Sequence, residues 1–78
     1  MREKQEFCVV TFPTTTAAMA MEQICREQGL KGRLIPVPRT IRSGCGVCWA
    51  SPVALRAQIE ELLVVQHLMI DGIYAIIM

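Results

Sequence analysis

The sequence lacks the features that mark several broad classes of protein. Its 78 residues carry a formal net charge of only +1, whereas binding to nucleic-acid phosphates calls for a clear basic excess. No apolar run approaches the ~20 residues that a membrane-spanning helix needs, and residues 1–6 do not resemble a signal peptide. The chain also has no linker, internal repeat or low-complexity stretch. We therefore expect one domain over residues 1–78, with neither nucleic acid nor a membrane as its partner.

Potential metal ligands are also scarce. A structural zinc site normally uses four ligands in two paired sets, whereas this chain has one Cys-x-x-Cys motif, Cys45 to Cys48, and one histidine, His67. Cys8 and Cys25 lie within apolar segments, where cysteine usually acts as a small hydrophobic residue. We expect no metal and no cofactor. Because no export signal accompanies the four cysteines, we expect a reducing cytoplasm.

Apolar residues, in contrast, make up 53% of the chain. A protein of this size buries roughly 60–65% of the surface that its unfolded chain exposes, which allows one modest core. So apolar a composition indicates either that both faces of a sheet are covered or that apolar surface meets a partner.

The hydrophobic pattern predicts six elements in the order β-α-β-β-α-β. Three consecutive threonines offer N-cap oxygens for the first helix, and Gly29 is suited to end it. Met19 and Met21 lie at helical spacing in that helix and are expected to fill the core. Ser51 is expected to cap the second helix, with Pro52 in its first turn. The predicted strands are 7–12, 32–37, 47–50 and 73–78.

This order in so short a chain is typical of a ferredoxin-like sandwich, an α+β fold with a four-stranded antiparallel sheet and both helices on one face. In this topology the end of the first strand, the start of the first helix and the loop 38–46 meet at one end of the domain. Residues such as Val9, Trp49, Tyr74 and Ile76 leave few polar side chains on either face of the sheet. The face without helices is therefore expected to be open and apolar, as in a dimer or docking surface.

The loop between the second and third strands carries the candidate site. The topology places Cys45 near the start of the first helix, where partial positive charge and unpaired N–H groups stabilise a thiolate or a bound anion. Nearby arginines favour the thiolate, the nucleophilic form of cysteine, and adjacent glycines allow a partner's backbone to approach closely. The residues expected to bind the anion or to activate the thiol are Arg39, Arg42, Thr14, Thr15, Thr16, Gly44 and Gly46.

Cys45 and Cys48 form a Cys-x-x-Cys motif, which performs redox chemistry when it lies in the first turn of a helix. In a strand, residues three apart point to opposite faces, so Cys45 would share a face with Trp49 while Cys48 lies on the other. A bulge at Gly44 or Gly46 would change this alternation. We favour a single working thiol at Cys45 and keep Cys48 as a second candidate catalytic residue. A Cys45/Cys48 thiol–disulfide pair is the alternative.

A Pro-x-Pro segment followed by Cys-Gly resembles the motif of a family of small bacterial domains labelled selenium/sulfur carrier protein-like. The residues that carry the resemblance are Phe12, Thr15, Ala18, Glu22, Gly29, Pro36-Val37-Pro38-Arg39 and Ser43-Gly44-Cys45-Gly46. The resemblance implies the same βαββαβ fold and implies that Cys45 carries a persulfide or perselenide. Two features depart from the related patterns. The family position of Cys48 is usually small or aliphatic, and the Cys-Pro-x-Pro helix start of sulfur-relay carriers is missing here.

Two functions from different classes follow. In the first, which the resemblance implies, Cys45 takes sulfur or selenium from a donor protein and passes it to a partner enzyme, so any enzymatic role is at most that of a thiol carrier. In the second, the chain is a non-catalytic binding or dimerisation module that uses its apolar sheet. Both functions require a protein partner, and the second predicts a homo-oligomer.

Overall fold

The structure is a computed structural model that describes residues 4–41 and 44–77. Its elements follow in the predicted order, and a short 3₁₀ turn precedes the second helix. The strands and helices are β1 (Glu6–Thr11), α1 (Thr15–Gln28), β2 (Arg33–Pro36), β3 (Val47–Pro52), α2 (Arg56–Val65) and β4 (Gly72–Ile77). The last residue of the predicted fourth strand, Met78, lies outside the described residues.

The strands form one sheet in the order β2-β3-β1-β4, and every neighbouring pair is antiparallel. Both helices pack on the same face of this sheet, which confirms the predicted ferredoxin-like α+β fold. The buried residues between the helices and the sheet, called here the helix-side core, are Cys8, Val10, Phe12, Ala18, Met21, Cys25, Trp49, Ile59, Leu62 and Leu63.

Helix α1 begins and ends where the sequence predicts. Thr14 is the N-cap, and its hydroxyl accepts a 3.1 Å hydrogen bond from the amide of Ala17, which satisfies one of the amides that a helix start leaves unpaired. Gly29 closes the helix with a φ of 72°, in the left-handed region that glycine adopts without a steric penalty. Met21 is buried as expected, but the expectation for Met19 is wrong, since it is 58% exposed.

The predicted start of helix α2 is also wrong. Ser51 does not cap a helix, because β3 continues to Pro52 and pairs Ser51 with Cys8 of β1. Proline fixes φ near a value that both extended and helical residues adopt, and here Pro52 is extended, with ψ of 139°. Helix α2 therefore begins only at Arg56, after a 3₁₀ turn over Val53–Leu55.

A second, smaller core covers the face of the sheet that has no helices. It consists of Val9, Ile41, Cys48 and Ala50, and we call it the outer core. Ile41 belongs to the loop between β2 and β3 and is only 7% exposed, so this loop lies over the strands. The expectation of a fully open face is therefore wrong at Val9, which is completely buried, although Tyr74 at the edge of the sheet is 38% exposed.

His67, the one histidine of the chain, follows α2, is exposed, and has a φ of 53°. In residues 4–41 and 44–77, no helix combines the length and the apolar character that crossing a membrane requires.

Candidate thiol site at Cys45

The candidate site lies where three segments of the chain meet: the end of β1, the start of β4, and residues 44–46, which we call the Cys loop. The amide of Gly44 donates to a carboxylate oxygen of Asp71 over 3.3 Å, and the amide of Asp71 donates to the carbonyl of Thr11 over 2.7 Å. Gly44 also lies against the backbone of Pro13, just before α1. These contacts bring the Cys loop to the end of the domain where the topology predicts it.

The two glycines of the Cys loop are needed for different reasons. A Cβ atom on Gly44 would lie 2.9 Å from the carbonyl oxygen of Pro13, closer than real contacts allow. Gly46 has open space around it but a φ of 79°, which side-chain-bearing residues rarely adopt. The space at Gly44 is thus occupied by the chain itself, whereas the space at Gly46 is free for a partner.

Cys45 is partly buried and packs against the helix-side core together with Val47. Its thiol donates to the carbonyl oxygen of Val47, with an S–O distance of 3.1 Å. Because a carbonyl oxygen can only accept, this contact uses the thiol proton and is lost when the thiol ionises. The contact is therefore available only to the protonated thiol.

Cys48 has a different environment from Cys45. It is completely buried in the outer core, and its side chain lies on the opposite face of β3 from those of Val47 and Trp49. The strand alternation predicted for Cys45 and Cys48 is therefore confirmed. Burial raises the pKa of the Cys48 thiol to about 11, and the nearby Cys45 adds to this effect. Both cysteines are free thiols.

The start of α1 contributes donors next to the Cys loop. The hydroxyl and carbonyl oxygens of Thr14 accept from Ala17 and Ala18. Among the described residues, the amides of Thr15 and Thr16 donate to no acceptor within the protein. The side chains of the three threonines are exposed. Because Pro13 contacts Gly44, this helix start lies beside the Cys loop.

The structure describes only one of the two arginines that are predicted to activate Cys45. Arg39 is exposed and lies within a turn, in which the Ile41 amide donates to the Pro38 carbonyl over 3.0 Å. Among the described residues, no hydrogen bond or ion pair joins Arg39 to Cys45. Arg42 lies outside the described residues.

Asp71 is the site residue that sequence reasoning missed. In the sequence it is merely the first residue of an Asp-Gly turn, but in the structure its carboxylate anchors the Cys loop through Gly44. The one signal in the sequence is its position before the last strand, at the same end of the sheet as Cys45.

A family model described as "Putative Se/S carrier protein-like" matches residues 7–75 of the chain. The protein belongs to this family. The match extends from β1 into β4 and includes the whole Cys loop, so it confirms the resemblance and extends it beyond the third strand. No curated protein and no solved structure matches the chain.

The other two cysteines of this Se/S carrier-like protein are core residues. Cys8 and Cys25 are completely buried, and burial raises the pKa of the Cys25 thiol to about 11. Burial also raises the pKa of Cys8, an effect that the charge of Arg56 reduces and that of Glu60 increases. Of the four cysteines, Cys45 alone is only partly buried, and the other three are completely buried.

The polar residues of this Se/S carrier-like protein do not form a cluster of metal ligands. Within the described ranges, no three His, Cys, Asp or Glu residues are grouped closely enough to hold a metal ion. The chemistry available at the Cys loop is therefore that of a thiol with a neighbouring carboxylate and neighbouring backbone amides.

Proposed function

We propose that the protein carries sulfur or selenium on Cys45, as a persulfide or perselenide, and passes it to a partner protein. The observation that carries this proposal is the contrast between Cys45 and the other three cysteines. Cys45 is only partly buried, in a loop that Pro13 and Asp71 hold through Gly44, whereas the others are fully buried. Membership of the Se/S carrier-like family supports the same role.

The transfer is an exchange between thiols and needs no external oxidant. The Cys45 thiolate attacks the terminal sulfur of a persulfide on the donor protein, so that a new S–S bond forms on Cys45. The S–S bond of the donor breaks, and the donor leaves as a thiolate, which takes up the proton that Cys45 released. An acceptor nucleophile then attacks the terminal sulfur, and Cys45 leaves as a thiolate. A perselenide would be transferred by the same steps at an S–Se bond.

The start of α1 supports Cys45 in the form that carries the extra sulfur or selenium atom. A persulfide carries its charge on the terminal sulfur, about 2 Å beyond Sγ. Partial positive charge at a helix N-terminus stabilises such an anion, and the amides of Thr15 and Thr16 are available there.

The space beside Cys45 and the free thiols also suggest the kind of partner and the cellular compartment. A sulfur carrier must contact a donor and an acceptor, and the free space around Gly46 leaves room for the backbone of a partner beside Cys45. We also place the protein in the reducing cytoplasm, because its four cysteines are all free thiols and disulfides are rare there.

Mass spectrometry after exposure to a persulfide donor tests the proposal. We expect the mass of one added sulfur atom on the peptide that contains Cys45, removable by a phosphine reductant. Cys45→Ser should abolish the label, while the matched variant Cys48→Ser should keep it. Added sulfur on Cys48 alone, or no label on the folded wild type while the unfolded chain reacts, would refute the carrier role.

A non-catalytic assembly module is the second candidate function. It is favoured by the exposed apolar side chains of the edge strand β4, where Ile77 is 66% exposed. Cys45→Ser separates the two candidates, because it should abolish sulfur loading and leave assembly unchanged. The Cys45/Cys48 redox alternative requires one of the two thiols to leave its face of β3. Ready disulfide formation under a mild oxidant would favour it.

A further inference from the structure

We infer that the free edge of β4 is a self-association surface, at which two copies of this chain pair their β4 strands antiparallel about a two-fold axis. The two sheets then become one continuous sheet. This inference does not depend on the carrier chemistry at Cys45, and it names the surface on which the proposed assembly function rests.

The edge of β4 carries none of the features that usually prevent strand pairing. β4 lies at one end of the sheet and pairs only with β1. Its six residues, Gly72 to Ile77, include neither a charged residue nor a proline. In the described part of the chain, no other segment bonds to its outer backbone groups. Natural proteins protect edge strands with charges, prolines, bulges or short length, and β4 has no such protection.

The opposite edge of the sheet is protected. β2 has only four residues, Arg33–Pro36, and the charged side chain of Arg33 is exposed. Pro36 has no amide proton to donate. Pairing of β4 with β2 of another copy would give an open, head-to-tail filament, and the protected edge disfavours it. Pairing of β4 with β4 gives a closed dimer.

The side chains of β4 suit a second copy on both faces of the sheet. Ile73 packs on the helix-side core and Ile76 packs on the outer core. The alternation of a strand places Ile77 with the former and Tyr74 with the latter. A two-fold axis perpendicular to the sheet keeps the helices of both copies on one side. Apolar residues therefore meet apolar residues on each face, and no like charges face each other.

A second copy fits this edge better than a flexible peptide from another protein does. The edge needs an uncharged, apolar and extended partner, and β4 itself has this composition and conformation. Because β4 is already ordered by its pairing with β1, it has little further conformational entropy to lose on association. The exposed side chains of Tyr74 and Ile77 would be covered by the same contact.

The test is the molar mass of the full chain by sedimentation velocity over a concentration series. We expect a monomer–dimer equilibrium for the wild type. Ile77→Lys places a charge on the edge and should weaken dimerisation roughly tenfold or more. Val64→Lys is the matched control, since Val64 is 73% exposed on α2, and it should dimerise like the wild type.

Hydrogen exchange gives a second measurement that needs no variant. Amides of β4 should become more protected as the wild-type concentration rises, whereas those of β2 should not. A wild type that stays monomeric at every concentration refutes the inference and the assembly function together. A dimer that Ile77→Lys leaves intact refutes the β4 surface alone. Sulfur loading of Cys45 in the Ile77→Lys variant reports on the carrier role independently of both.

Discussion

At the scale of single residues, Asp71 brings a carboxylate to the Cys loop. It fixes the loop by accepting from the Gly44 amide, and a negative charge close to a thiol is expected to disfavour the thiolate that the proposed transfer needs. Two substitutions separate these effects. Asp71→Asn keeps an oxygen that can accept from Gly44 and removes the charge, whereas Asp71→Ala removes both.

We predict that Asp71→Asn accelerates alkylation of Cys45 by iodoacetamide at neutral pH, and that Asp71→Ala does not do so to the same extent. The expected gain is about twofold to fivefold, because the interaction of one charge near the protein surface amounts to about 1 kcal/mol or less in water. The rate is read from the Cys45 peptide by mass spectrometry. A rate for Asp71→Asn equal to or below that of the wild type would contradict an electrostatic role for Asp71.

The sequence predicts part of this site and misses part of it, for physical reasons. The position of Cys45 follows from the order of strands and helices, because the topology alone decides which loops share an end of the sheet. The role of Asp71 does not follow, because its hydrogen bond joins residues 27 positions apart. An Asp-Gly pair has a sufficient local explanation as a turn, so the sequence gives no reason to look for a distant contact.

At the scale of elements, the start of α1 links helix stability to the site. Thr14 caps the helix through its hydroxyl, and the same turn supplies the unpaired amides proposed to stabilise the anion on Cys45. Loss of the cap should therefore affect both the free energy of unfolding and the loaded state of Cys45.

We predict that Thr14→Ala lowers the free energy of unfolding by about 1 kcal/mol, the usual effect of removing an N-cap. The same change should shorten the lifetime of the Cys45 persulfide, because a frayed helix start holds its amides less firmly. Thr16→Ala is the matched control, since Thr16 is exposed in the same turn and caps nothing. Urea denaturation and timed mass spectrometry measure the two effects. Equal losses for both variants would argue against the capping explanation.

The start of α2 shows where element prediction fails. Ser51-Pro52 is a sound helix start by local rules. In the folded chain, however, Ser51 pairs with Cys8 and Pro52 pairs with Phe7, and this pairing extends β3 past the predicted boundary. Proline is compatible with either outcome, so tertiary pairing rather than local preference decides between them.

At the scale of the whole molecule, two cores on opposite faces account for the high apolar content. The helix-side core is the larger, and the outer core is covered by Ile41 from the loop between β2 and β3. The helix-side core contains the buried thiols of Cys8 and Cys25, and the outer core contains that of Cys48. Both cores should therefore influence stability at high pH.

We predict that the contribution of the buried thiols to the free energy of unfolding is constant below about pH 8 and falls steadily between about pH 9 and pH 11. Burial raises the pKa of Cys25 and Cys48 from 9.0 to about 11, so the folded state keeps protons that the unfolded chain releases in this range. Each thiol should account for roughly 2–3 kcal/mol of the loss. Urea titrations in reductant measure the slope. Cys25→Ala should lower stability at neutral pH but reduce the slope above pH 9, and an unchanged slope would contradict the assignment.

The contact between Gly44 and Pro13 has a consequence for transplanting this motif into other proteins. Because Gly44 rests on the backbone before α1 and is bonded to Asp71 before β4, the shape of the Cys loop is set by three segments that are far apart in the chain. Copying Gly44-Cys45-Gly46 alone into another βαββαβ scaffold would transfer the sequence without the contacts that fix the conformation of the loop. A functional graft would have to bring the junction after β1 and the turn before β4 along with the loop.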